Sequence, residues 1–353
     1  MNRVRSVDEW VVLLSTSSGP EQEEAQEWLG DALGAEDDLL RERTAQFLLD
    51  AMVRPGAAVG AILSVLQVAW WPPPARLADA AVRSVTAALT GLEAGHPAVE
   101  DAALVLANVC RVEPAQLAAL EAALGHAHPA VRRAAAGAVG RIGDAAVPLL
   151  PRLVPLLKAE EDVAGAALES LGALASLAPE VATPALLEEA RTAEGTRLYL
   201  ALTSLRSLME DARRKGGALP ALPDLQEAMR RALKEAEPAI RVEALSLLGL
   251  TGPASPAVQE AVAGHLQDAN PSVAACAAVA LLRLGAPAQP ALSLLQTQLS
   301  SVDAPALQGA ALSALEEVEP ATLGQAKGML KTVVDTSSGP TRDAVKVLLD
   351  SLG

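Results

Sequence analysis

Aromatic side chains are nearly missing from this chain of 353 residues, which has four Trp, one Tyr and one Phe. A core without large rings must be packed by Ala, Leu and Val, and so much alanine suits closely spaced helices. Cysteine is equally scarce, and two residues exclude a disulfide scaffold. Basic residues are outnumbered, with 28 Lys plus Arg against 43 Asp plus Glu and a net charge of −15. That sign opposes a phosphate backbone and argues against general nucleic-acid binding. There is no glycine period, which removes collagen, and 51% hydrophobic residues remove intrinsic disorder. Long apolar runs are also lacking. The stretch from Ala57 to Trp71 is interrupted by Ser64 and Gln67, short of the roughly 18 to 20 residues of a membrane span. The N-terminal WVVLL follows acidic residues and is too short for a signal peptide. The expectation is a cytoplasmic protein without a membrane span.

What is present is repetition. A proline, a small or branched residue and an alanine-rich run recur as HPAVEDAALVLANV, HPAVRRAAAGAVGRIG, EPAIRVEALSLLGL, NPSVAACAAVALLRLG, APALQGAALSALEEV and GPTRDAVKVLLDSLG. The marker prolines are Pro97, Pro129, Pro238, Pro271, Pro305 and Pro340, spaced by 32, 109, 33, 34 and 35 residues. Two weaker copies, from Glu160 and Gly195, divide the long interval, leaving a period near 34 plus one insertion. A period of this length means helix pairs stacked as a solenoid. Proline at the first helical turn lacks only an amide that has no partner there, so the prolines mark helix starts. In PAVRRAAAGAVGRIG, residues Val131, Ala135, Ala138, Val139 and Ile142 form one apolar stripe, and Gly143 ends the helix. The DAAVPLLPRLVPLLK that follows reads as a second helix, bent or broken at Pro151 and Pro155.

Residues 1–95 are less regular. TSSGP occurs at Thr16–Pro20 and again at Thr336–Pro340, which starts a repeat helix at Pro20. Further helices are predicted over about 37–53, 56–71 and 74–93. The whole chain, 1–353, then reads as one right-handed α-solenoid of about ten antiparallel helix pairs, with an insertion at 212–224. In this register Cys110 and Cys276 lie on the order of 50 Å apart. A disulfide, which needs Cα atoms within about 7 Å, is excluded.

The segment PAVRRAAAGAVGRIGDAAVPLLPRLVPLLK resembles the HEAT-repeat family, especially the bacterial HEAT-like repeats named after phycobilin lyases, and the likeness covers about residues 74–353. The resemblance implies that the helix bearing Val-Arg lines a concave face and that an acid before the proline bonds the arginine. Here the arginine is kept at Arg132, Arg241 and Arg342 and is replaced by Glu100, Ala274 or Leu307 elsewhere. The acid is kept as Glu237, while His128, Asn270 and Ala304 stand in other repeats.

Enzymatic motifs are missing. No His-Glu dipeptide occurs to supply a di-iron site, and His96, His126, His128 and His265 share no helix face. A helical-repeat DNA glycosylase would need aromatics and a basic groove. There is no GxxxxGK[ST], GxSxG, CxxC or HExxH. No catalytic residue, cofactor or metal is expected.

Three departures from the repeat are candidate partner sites. At AWWPPPARL, Trp70 and Trp71 beside Pro72–Pro74 form either a binding corner or part of an N-terminal core with Trp10, Trp28 and Phe47. The insertion MEDARRKGGALPALPD carries Arg213, Arg214 and Lys215, near Arg206, Arg230, Arg231 and Lys234, and suits an acidic peptide or phosphate groups, or is a solvated loop. The helices bearing Glu100, Arg132, Arg133, Arg141 and Arg241 would line the concave wall that the resemblance implies. The acidic run from Glu21 to Asp38 is a solvated helix face or a dock for a basic partner. The expected function is a non-catalytic scaffold or adaptor for another protein. Alternatives are an accessory subunit of a phycobilin-type lyase or other enzyme, and a self-assembling repeat. Arg at 22 against Lys at 6 suggests a GC-rich bacterial genome.

Overall fold

The structure, a computed structural model, describes residues 5–69, 72–216 and 225–352. Among them every regular element is helical. The chain divides into two compact units, residues 1–182 and 183–353.

In the first unit the helices Pro20–Gly34, Val59–Ala69, Ala98–Val112, Pro129–Ile142 and Glu161–Ala173 stack side by side in one layer. Asp38–Met52, Ala78–Leu89 and Leu117–Leu124 lie between them in sequence and form a second layer. Val7–Thr16 packs across the start of both, with Trp10 and Trp28 stacked 5.5 Å apart and Arg5 over the Trp10 ring. In the second unit Gly195–Arg214, Pro238–Leu250, Pro271–Arg283, Pro305–Glu316 and Gly339–Asp350 make the first layer. Leu225–Ala232, Pro256–Ala263, Ala288–Leu299 and Lys327–Thr336 back it. First-layer helices of the second unit begin 33 or 34 residues apart, except for 43 between Gly195 and Pro238 where the insertion falls.

The proline rule places these starts. Pro129, Pro238, Pro271 and Pro305 are the first helical residues, and Asn270 adds a side-chain cap to the amides of Ser272 and Val273. Pro97 precedes its helix by one residue, and Pro340 follows Gly339. The two TSSGP copies form turns of the same kind. Gly19 and Gly339 both have positive φ (63° and 68°), and the hydroxyls of Thr16 and Thr336 each donate to a carbonyl four residues back at 2.8 Å. Gly143, at φ 84°, stops its helix as expected. The predicted second helix beyond it is broken further than two kinks. It runs as a 3₁₀ turn Asp144–Leu149, one α turn Leu150–Leu153 and another 3₁₀ turn Val154–Lys158, because Pro148, Pro151 and Pro155 each remove an amide donor.

Alanine has a specific use in this packing. Pro129–Ile142 is flanked by two first-layer neighbours and backed by the second layer, so most of its residues are buried; Ala134, Ala135, Ala136, Ala138, Val131 and Val139 are fully buried. Small side chains let these helices approach closely. At the tightest point Ser170 enters the groove beside Gly140. Its hydroxyl donates to the Ala136 carbonyl at 2.7 Å and accepts from the Gly140 amide at 3.2 Å.

Candidate partner-binding surface

Arg132, Arg133, Arg141 and Arg241, which the sequence pattern sets along a concave wall, are each engaged by groups of the chain itself. Arg132 donates to the carbonyls of His126 and Ala127, both at 2.8 Å, and to the Glu160 carboxylate of the next repeat at 2.7 and 2.9 Å. Arg241 repeats this geometry in the second unit. It donates to the carbonyls of Glu235 and Ala236, both at 2.8 Å, and two-fold to Asp268 at 3.0 Å. Only 15% of the Arg132 side chain and 14% of Arg241 is exposed, so the main donors of both are spent on their own turn and the next repeat. The carboxylates answer in kind. The hydrogen bond from Arg132 holds Glu160 below the usual carboxylate range. Burial would raise Asp268, but bonds from Arg241, the Asn270 amide and His265 outweigh it and lower it. The acid that meets Arg241 is therefore Asp268, one repeat on, and not the Glu237 of the family pattern.

Arg133 and Arg141 are also turned inward. Arg133 donates to the Ala94 carbonyl, in the turn before Ala98–Val112, and Arg141 to the Gly137 carbonyl at 2.7 Å and to Glu100 on Ala98–Val112, the neighbouring first-layer helix. Trp70 and Trp71 lie outside the described residues, and so does most of the glycine- and proline-rich part of the insertion. Arg213, Arg214 and Lys215 are described, and they are exposed.

These three end the helix Gly195–Arg214, which at 20 residues outruns its neighbours. Its last turn borders an open cleft of about 470 Å³, lined by Arg206, Glu210, Arg213, Arg214, Arg283, Glu316, Glu317 and Glu319 together with Leu250 and Val318. Arg213 bonds Glu319 at 2.7 Å, and Arg283 bonds the other oxygen of that carboxylate at 3.1 Å while donating to the Glu317 carbonyl at 2.7 Å. Burial would raise Glu319, but hydrogen bonds from Thr322, a backbone amide and Arg213, with the Arg283 charge, bring it down to about 2. Deeper in, Arg206 joins Glu243 at 2.7 Å and Glu210 at 2.9 Å. Sequence reasoning missed Arg283 and Glu319 as partners. The available signal was positional: Arg283 in RLG matches Arg141 in RIG, each at a helix end before a positive-φ glycine. Arg231, read as part of the basic neighbourhood, donates to the carbonyls of Arg191 and Ala193.

A second open groove, of about 830 Å³, lies between Leu117–Leu124 and the proline-broken segment, crossed by the Glu121–Arg152 pair at 2.8 Å. Among the described residues no group of three His, Cys, Asp or Glu side chains converges as a metal site requires. No described helix is long and apolar enough to cross a membrane. Both cysteines are free; burial raises the Cys110 thiol to about 12, and burial with the Glu317 charge raises Cys276 to about 11.

No family model and no curated protein matches the sequence. Solved structures match in fold. An engineered protein from the Northeast Structural Genomics Consortium aligns over 99% of both chains at 16% identity, with a TM-score of 0.50. Importin beta, crystallised in ammonium sulfate, aligns over 98% of this chain and 57% of its own at 15% identity (TM-score 0.51). Kap121p bound to Ste12p aligns over 98% of this chain and 40% of its own at 14% identity (TM-score 0.58). The chain thus spans about half the length of these two larger relatives in fold. At such identities the shared property is architecture. The protein is an all-α solenoid, in keeping with the HEAT-like pattern of its sequence.

Proposed function

We propose that the protein is a non-catalytic scaffold that offers a firm helical surface to a protein partner, with a repeat type close to the bacterial lyase-named HEAT-like group and a cytoplasmic place of action. The observation that carries the reading is the series of ties from first-layer arginines to acids of neighbouring repeats. Arg141 with Glu100, Arg132 with Glu160, Arg206 with Glu243, Arg241 with Asp268 and Arg283 with Glu319 each join one repeat to another. Such ties hold the repeats in register, which lowers the ordering cost when a partner docks. The structural relative Kap121p has been solved bound to another protein, Ste12p, which supports a protein as the class of partner. Net charge of −15 supports the exclusion of nucleic acid.

The test is tagged capture at low and moderate salt, rebinding of the purified partner, and hydrogen exchange of the complex. Protection on the first-layer helices or at the 213–215 helix end is expected. Recovery of a chromophore or an enzyme activity with the chain would instead support the lyase-subunit alternative. Concentration-dependent oligomers with no other protein would support self-assembly.

A further inference from the structure

The end of the Gly195–Arg214 helix presents three cations in a row, and their counter-charges are unequal. Arg214 and Lys215 share the single carboxylate of Asp211, at 3.7 and 2.6 Å. Arg213 has only Glu319, which stands beyond the fourth first-layer helix of the unit, after the ends of two intervening helices. That carboxylate does not depend on Arg213. Its Oε1 also accepts from the Thr322 hydroxyl and its Oε2 from Arg283, so both oxygens keep a partner if Arg213 departs. The exposure is asymmetric in the same sense: 41% for the Arg213 side chain and 76% for Arg214, against 22% for Glu319. Arg213 is the removable member of the cluster. The end of Pro305–Glu316, which also lines the cleft, carries the opposite sign, because Glu316 and Glu317 are exposed and their carboxylates pair with no described cation.

We propose that this cleft docks a segment of the protein partner that presents adjacent carboxylates to Arg213 and Arg214 and a basic residue to Glu316 and Glu317, and that the Arg213–Glu319 pair is an intramolecular competitor that the segment displaces. The proposal rests on the scaffold reading and adds to it the site, the chemistry of the ligand and its regulation. Exposed ion pairs are weak, so the exchange of one carboxylate for another costs little. Attraction to the rim is screened within about 8 Å at physiological salt, which makes docking salt-sensitive. The two-signed cleft gives the segment a direction, since the reversed segment sets carboxylates against Glu316 and Glu317.

The test uses the full chain and a fluorescent synthetic peptide in which a Glu-Glu pair is followed, after two alanines, by a Lys-Lys pair. Anisotropy is read at low and physiological salt. Glu319→Gln frees Arg213 and is expected to tighten binding about two- to fivefold, the range over which exposed pairs act. Arg213→Gln with Arg214→Gln is expected to abolish it. Glu260→Gln makes the same charge change at an exposed position of Pro256–Ala263 and is expected to leave it unaltered. Circular dichroism checks that each variant folds; if Glu319→Gln does not, Arg213→Gln alone, at an exposed site, is expected to weaken peptide binding severalfold, and unchanged binding overturns the proposal. Failure of the peptide to bind overturns the proposal, as does an equal response to Glu319→Gln and Glu260→Gln, or equal binding of an all-Glu peptide. None of these results touches the scaffold reading, which stands or falls on partner capture and the protection map.

Discussion

The close approach at Gly140 makes a prediction whose sign is opposite to that of helix propensity. An alanine in mid-helix is favoured over glycine by about 0.5–1 kcal/mol. A Cβ at Gly140, however, would stand 2.6 Å from the Ser170 hydroxyl, 2.9 Å from its Cα and 3.0 Å from its Cβ. Carbon atoms rest at about 3.5–4.0 Å, so Glu161–Ala173 must move away from Pro129–Ile142 by on the order of 1 Å. Overpacking of this kind costs about 1–3 kcal/mol. The shift also stretches the two Ser170 hydrogen bonds, worth about 1 kcal/mol each. Gly140→Ala is therefore expected to destabilise by about 2–3 kcal/mol, read as a lower urea midpoint by circular dichroism and by Trp fluorescence, since every Trp lies in residues 1–71. Ser170→Ala in the Gly140→Ala background should not restore stability, because the main chain of residue 170 still stands 2.9 Å from the added methyl. The control is Gly165→Ala on the neighbouring helix, where a Cβ meets nothing within 4 Å, and a gain of up to about 1 kcal/mol is expected. A Gly140→Ala protein as stable as the parent would refute the reasoning, because helices that yield by 1 Å without cost are not packed as described.

Arg241→Ala should cost about 3 kcal/mol by leaving Asp268 and two turn carbonyls unmet, and Arg241→Lys should recover little because an ammonium lacks the planar fork; thermal melts of the three proteins decide it. Glu319 titrates near 2 when folded and near 4.3 when unfolded. Its contribution is therefore complete above about pH 4.5 and lost as pH falls towards 2. Glu319→Gln should flatten the stability profile over that window in acid titrations followed by denaturant melts. The Cys110 and Cys276 thiols, raised to about 12 and about 11, should react slowly with a disulfide reagent at pH 8 until the chain unfolds. Rapid reaction of Cys110 in the native state would contradict its burial.

What the sequence made legible was whatever depends on local rules. Proline at a first turn, a positive-φ glycine at a stop and a 3.6-residue stripe each act through a few neighbouring residues, so Pro129, Gly143 and Val131 could be placed without knowing the neighbours. Even the match between the two TSSGP turns holds to the hydrogen bonds of Thr16 and Thr336. The break after Gly143 goes further than two kinks because three prolines, Pro148, Pro151 and Pro155, at spacings of three and four leave no uninterrupted run of amide donors. Side-chain destinations were not legible, because they depend on the rotation between repeats. Arg132 and Arg213 are both exposable cations in sequence. One lies along a turn within reach of two carbonyls and the next repeat's acid, and the other ends a helix that overruns its neighbours. The difference follows from position within the repeat. An arginine three residues after the marker proline sits beside the turn that the preceding helix has just left, where unpaired carbonyls attract it. An arginine in an insertion has no such turn beside it and reaches for whatever carboxylate the curvature of the unit brings near. Arg132 and Arg241 are accordingly spent on architecture, whereas Arg213 and Arg214, which break the period, and Arg342 among the repeat-position arginines stay exposed.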